Sequence, residues 1–186
     1  MSEVLGKREC GVLLHPTCLP SPYGIGDLGP QAAAYLEWLR DADVRWWQIL
    51  PLNPPGPGNS PYSTPSTFAG NTLLISPDLL IEDGILLPRH VEDAPHFEDY
   101  VVDYRFVGPW KNELLRTAYR RFRAYPTRDI ESGFRAFREA NHHWLDDYCL
   151  FTALKQHFRG APWHEWPKSE IWLSFWRTDG WMRRML

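Results

Sequence analysis

The sequence predicts an α/β fold that opens on a strand–helix–strand unit and continues as a mostly helical segment. Three observations carry this prediction. They are a short apolar run at Cys10–Leu14, a helical stripe between Pro30 and Ala42, and a strand-like run at Arg45–Leu50 stopped by Pro51. Strand, helix and strand within about forty residues form a βαβ unit, which implies parallel strands.

Cys10-Gly11-Val12-Leu13-Leu14 is apolar and too short for a helix. A loop broken by Pro and Gly follows from His15 to Asp27. Pro30 suits a first helical turn, and Leu28, Ala32, Tyr35, Leu36 and Leu39 recur at helical spacing. Asp27 reads as a capping or turn residue at the entry of that helix. In the second strand Trp46 and Trp47 point to opposite faces, and both read as core. Asp43-Val44 is a short structural connection. Residues 72–76 suit a third short strand, and 77–108 read as an irregular acidic linker with turns. A helix then starts near Pro109 with Trp110, Leu114, Ala118 and Phe122 on one face. Another runs from about Ile130 to Phe158, striped by Phe134, Phe137, Trp144, Tyr148, Phe151 and Leu154. Asp146 and Asp147 fall on its solvated face.

Loops 15–27 and 51–71 both leave the carboxyl end of a predicted parallel strand, the side where such folds place their ligands. They are expected to line one mouth. The second, PLNPPGPGNSPYSTPSTFAGN, is much longer than an ordinary connection of about 4–6 residues. Its prolines stiffen it, and Tyr62 and Phe68 give it apolar anchors. Uncharged hydroxyls, amides and a ring face suit a neutral polyhydroxyl ligand such as a sugar. There is no basic cradle for phosphate.

Composition excludes several classes. A net charge of −3 over 186 residues does not advertise nucleic acid or an anionic membrane. No run approaches the about 18 apolar residues of a membrane span. The first ten residues lack the apolar core of a secretory signal. Cys10, Cys18 and Cys149 have no metal-type spacing and read as free thiols, so the expected compartment is the cytoplasm. Most of the ten Trp, eight Tyr and nine Phe fall at helical or strand spacing and read as core.

The motifs GVLLHPT (11–17), LPSPYGIGDLG (19–29), WWQILPL (46–52), GNSPY (58–62) and FAGN (68–71) occur in this order. Val102-Asp103-Tyr104, Trp110-Lys111 and Gly160-Ala161-Pro162-Trp163 follow. Over residues 8–168 this pattern resembles the N-terminal part of the 4-α-glucanotransferases, the amylomaltases of glycoside hydrolase family 77. The resemblance implies the N-terminal part of a (β/α)₈ TIM barrel with a largely helical inserted subdomain. It divides the chain into barrel units with cleft loops (1–76), a helical insertion (77–168) and a divergent tail (169–186). It also implies transfer of α-1,4-glucan segments between maltooligosaccharides by a retaining double displacement, with two carboxylates about 5 Å apart. That chemistry needs no metal and no organic cofactor.

The family's catalytic carboxylates lie beyond position 186, so the resemblance carries no catalytic residue onto this chain. It implies substrate contact for Ser60 and Tyr62, whose hydroxyls and ring suit a glucan; the alternative is that Tyr62 packs under the loop while Ser60 caps a turn. Asn59 and Asn71 fit either a ligand-facing amide or a turn bond. His15 fits either the mouth or a buried hydrogen bond. The tail SEIWLSFWRTDGWMRRML departs from the family and reads as a truncation or frameshift near 169. The alternatives to a transferase portion are a non-catalytic α-glucan-binding module and a nonfunctional remnant. Two barrel strands leave unpaired edges. The isolated chain is therefore expected to be poorly stable, aggregation-prone and without transferase activity. Light scattering with a thermal melt checks this, and a monodisperse monomer with one cooperative transition would overturn it.

Overall fold

Gly11–Leu13 form strand β1 and Trp46–Gln48 form strand β2, paired in parallel with Gly11 opposite Trp46 and Leu13 opposite Gln48. The structure, a computed structural model, describes residues 8–167. The pairing extends beyond both strands, through Arg45 N–H to the Cys10 carbonyl (3.1 Å) and Leu14 N–H to the Gln48 carbonyl (3.0 Å). Gly11 permits this approach, since a Cβ there would stand 3.0 Å from the Trp46 Cβ.

Helix α1, Pro30–Asp41, connects the strands. Pro30 takes the first helical position, where its missing N–H has no helical partner to lose. Ala32 and Leu39 are buried, and Tyr35 meets the Trp47 ring edge-on at 5.1 Å. Trp47 also donates its indole N–H to the Leu14 carbonyl (2.7 Å). The βαβ expectation holds, with shorter strands. Trp46 differs from expectation: it is 52% exposed and donates to the Glu9 carboxylate. Leu28 and Leu36 of the predicted stripe are exposed as well.

Residues 72–76 do not form the expected strand. Thr72–Leu74 is a 3₁₀ turn whose Leu73 N–H is accepted by the Asn71 side chain (3.0 Å). This local bond offers the backbone an alternative to a sheet ladder. The supposed linker 77–108 contains two short helices, α2 (Pro77–Glu82) and α3 (Arg89–Glu92). Pro77 starts α2, and Gly84, in the left-handed conformation at φ 71°, turns the chain after it. In α3, His90 Nδ1 accepts the Leu87 N–H at 3.0 Å.

Helix α4, Tyr104–Ala124, begins five residues before the expected Pro109. Asp103 is its cap: the carboxylate accepts the Arg105 N–H (3.0 Å) and grips the Arg105 guanidinium. Pro109 thus lies past the first turn, where it lacks the N–H that would bond the Arg105 carbonyl. The buried face of α4 reads Val107, Lys111, Leu114 and Ala118. Val107 packs with Ile25 and Leu73, and Leu114 and Ala118 pack with Leu86. Lys111 falls between the two clusters.

The chain divides into two compact units, Met1–Glu131 and Ser132–Leu186. Helix α5, Arg128–His157, supplies most of the second, and none of its residues is buried. Asp146 on α5 is exposed and faces Arg138 at 3.5 Å, while Asp147 is half-buried. Within this unit Trp166 is buried, stacks on Phe158 at 5.3 Å and donates to the Ala161 carbonyl (2.9 Å). The divergent tail lies outside the described residues. All three cysteines are exposed free thiols.

Burial, with Arg121 and Arg89 nearby, holds the His90 imidazole below its ordinary value. Its folded-state pKa is therefore depressed, so its stabilising contribution is complete above the ordinary histidine range and falls as pH drops. Protonation of Nδ1 also removes the acceptor for Leu87. Amide exchange measured between pH 7.5 and 5 should show the protection of Leu87 decreasing below about pH 6.5. In His90→Asn that pH dependence should disappear.

Candidate functional site

Loops 15–27 and 51–71 leave the carboxyl ends of β1 and β2, which stand side by side. His15 ties them together. Its Nδ1 meets the Thr17 hydroxyl (2.7 Å) and accepts the Thr17 N–H (3.3 Å), while Nε2 stands 3.4 Å from the Pro51 carbonyl. The imidazole is half-buried and serves the backbone at both loop roots.

Loop 15–27 is seated on α4. Tyr23 stacks on Trp110 (5.8 Å between ring centres) and donates its hydroxyl to Asp78 Oδ1 (2.5 Å). Burial, then the Asp78 bond, push the Tyr23 phenol above its ordinary value. Gly24 adopts φ +74°, and a Cβ there would stand 2.4 Å from the Phe97 ring. Asp27 makes the predicted turn, accepting the Gly29 N–H at 3.0 Å. It also does something the sequence reading missed. Its other oxygen accepts from Lys111 Nζ at 3.3 Å, and the two side chains are 7% and 0% exposed. Lys111 Nζ also donates to the Leu73 carbonyl at 2.6 Å. Burial pushes the Asp27 carboxyl up and the Lys111 ammonium down, and each charge pulls the other part of the way back.

Residues 51–71 close on themselves as an Ω-type loop. At the neck, Asn71 donates its N–H to the Leu52 carbonyl (2.8 Å). Asn53 donates its amide to the Thr67 and Ala69 carbonyls, each at 3.1 Å. At the tip, Gly56 N–H bonds the Ser63 carbonyl, and Asn59 N–H bonds the Gly56 carbonyl (3.1 Å). Gly58 and Asn59 are both left-handed, at φ 76° and 58°. Asparagine is among the few side chains that tolerate this conformation. Ser60 Oγ accepts the Tyr62 N–H (3.3 Å), leaving its own proton to donate. Ser66 Oγ accepts both the Phe68 and Ala69 N–H groups. The loop is held by its own hydrogen bonds.

The four sugar-binding candidates divide accordingly. Asn59, Ser60 and Tyr62 gather at the tip, where Tyr62 is 73% exposed. Asn71 lies at the neck, with its side-chain oxygen on Leu73 N–H. Asn53 and Lys111 organise the loops, although Asn53 did not stand out in the sequence and Lys111 did so only within the Trp110-Lys111 motif. Lys111 was detectable in principle, as a cation on an apolar stripe. Among the described residues, no group of three or more His, Cys, Asp or Glu side chains could hold a metal ion. No described helix is long and apolar enough to cross a membrane.

Residues 14–173 match the glycoside hydrolase family 77 profile, described as 4-alpha-glucanotransferase. The chain belongs to glycoside hydrolase family 77. This family 77 chain is 47% identical over 169 residues to a 4-alpha-glucanotransferase of a Synechocystis species, covering 91% of itself and 34% of that relative. It is 46% identical over 160 residues to the Thermus thermophilus 4-alpha-glucanotransferase, covering 86% and 31%. A chloroplastic/amyloplastic relative from Oryza sativa is 39% identical over 172 residues, covering 89% and 28%. The chain thus spans about a third of the length of these relatives. Its fold also matches an amylomaltase from Streptococcus agalactiae solved with acarbose, at TM-score 0.80 and 34% identity, over 89% of this chain and 33% of that one.

Asn53→Ala removes both side-chain bonds across the neck. At about 1 kcal/mol per bond, it should open the loop appreciably without unfolding α1. Limited proteolysis should then cut within 54–68 well before the wild type is cut there, while residues 30–48 stay protected.

Proposed function

We propose that residues 15–27 and 51–71 form one wall of an α-1,4-glucan cleft in a 4-α-glucanotransferase. In this reading the βαβ unit within 1–76 begins a (β/α)₈ barrel, and 77–168 is a helical insertion. The observation that carries the reading is the pre-ordered, uncharged tip of the 51–71 loop, with the Tyr62 ring 73% exposed beside Ser60 and Asn59. A polar hydroxyl–amide cluster beside an exposed ring matches a pyranose, which offers hydroxyls at its rim and an apolar face. Because the loop is already closed by internal bonds, little ordering entropy opposes ligand capture. Asn71 contributes by holding the neck, through its backbone N–H to Leu52 and its side-chain oxygen on the Leu73 N–H.

The transfer of glucan segments between maltooligosaccharides, by a retaining double displacement, is the proposed reaction of the whole family fold. The resemblance carries no catalytic carboxylate onto this chain, and Asp27 and Asp103 do not stand in for one. Asp27 is tied to Lys111, and Asp103 is tied to Arg105, whose hydrogen bonds hold its carboxyl below the ordinary range. The 186 residues by themselves are proposed to bind glucan without transferring it, in a reducing, cytoplasmic setting. This makes a non-catalytic α-glucan-binding module the second reading of the same site.

Titration calorimetry with maltoheptaose tests the assignment. Binding is expected in the wild type, with Tyr62→Ala weakening it about tenfold, roughly 1.4 kcal/mol. Binding that survives Tyr62→Ala unchanged removes the loop from the site. Absence of any binding favours a nonfunctional remnant.

A further inference from the structure

We infer that Lys111 is a positioning residue for the cleft: from helix α4 its ammonium sets the spacing of the two loops. The ammonium bonds one residue at the exit of each loop. Asp27, which accepts at 3.3 Å, is the last residue of loop 15–27. Leu73, whose carbonyl accepts at 2.6 Å, follows loop 51–71 by two residues. The Leu73 backbone is held from both sides, since its N–H goes to Asn71 Oδ1 at 3.0 Å. A further bond, Leu28 N–H to the Leu74 carbonyl at 3.0 Å, stitches the two exits directly. A displacement of Lys111 therefore reaches both loop roots together.

Packing alone does not explain a lysine at this position. Its neighbours on the buried face of α4 are Val107, Leu114 and Ala118, and an apolar side chain would continue that face. A buried ion pair is often no more stable than an apolar replacement of similar volume, because desolvation offsets the attraction between the charges. An apolar side chain, however, cannot address a carboxylate and a carbonyl from two separate segments. Directionality is what the cation adds. Residues before it in the helix seat α4 against loop 15–27. Trp110 stacks on Tyr23, and Val107 lies so close to Gly24 that a Cβ there would stand 2.8 Å from its methyl.

The test variant is Asp27→Asn/Lys111→Met in the 186-residue chain, which removes both charges and strands neither in the core. Amide exchange at low micromolar concentration is expected to accelerate about tenfold or more at Leu28, Asn71 and Leu73, with α1 and the β1–β2 amides unchanged. Unchanged exchange at those three amides overturns the inference. So does uniform acceleration across α1 and both strands, which marks a merely structural role. Should the variant fail to fold, exchange in the wild type decides: Leu28, Asn71 and Leu73 should open in one step with Leu114 of α4, and separate opening of these amides overturns the claim. For affinity the inference rests on the glucan reading, and the folded variant should bind maltoheptaose about tenfold more weakly. A wild type that does not bind maltoheptaose sinks the glucan reading alone, since the exchange pattern still decides the positioning role.

Discussion

A charge that leaves water must be met by partners of fixed geometry, and the first unit of this chain is organised around one such charge. Lys111, on α4, is completely buried, and its two partners come from the turn before α1 and the turn before α2. Losing one partner of a buried pair typically costs about 3–5 kcal/mol, because the other charge remains. That penalty for misplacement specifies where the turns sit relative to α4. The clusters around Val107 on one side and Leu114 on the other exclude water from the pair.

From that anchor the rest of the unit follows. The two parallel strands are only three residues each, too short to define a loop arrangement alone. Hydrogen bonds at the loop roots do this instead, through His15 at the strand ends and Lys111 at the far ends. Between these fixed points loop 51–71 is closed by Asn53 and Asn71 and is free to present Tyr62 outward. Its neck is tied by Asn53 and Asn71, and Tyr62 is exposed at its tip.

The exposed apolar side chains around the sheet, among them Leu13, Trp46 and Ile49, fit this division of labour. A two-stranded sheet has an unpaired edge on each strand, and side chains beside those edges have little to pack against. The relatives are about three times longer than the matched segment, so the family fold provides much more surface than this chain contains.

The sequence by itself determined the βαβ unit, the position of loops 15–27 and 51–71 at one end of it, and the family. Periodicity, proline placement and the ordered motifs from GVLLHPT to FAGN are local signals, and local signals survive in a linear string. The short helices α2 and α3 were less legible because six and four residues are too few for a periodic pattern, although Pro77 and Gly84 marked the boundaries of α2. Tertiary structure alone decided what joins distant segments. Residues 72–74 became a turn because Asn71 caps them, and Trp46 is half exposed while α1 packs its Tyr35 ring against the neighbouring Trp47. Asp27 and Lys111 are separated by 84 positions, so no spacing rule connects them. Only folding makes one charge the other's partner, because only in a desolvated interior do the two have no alternative.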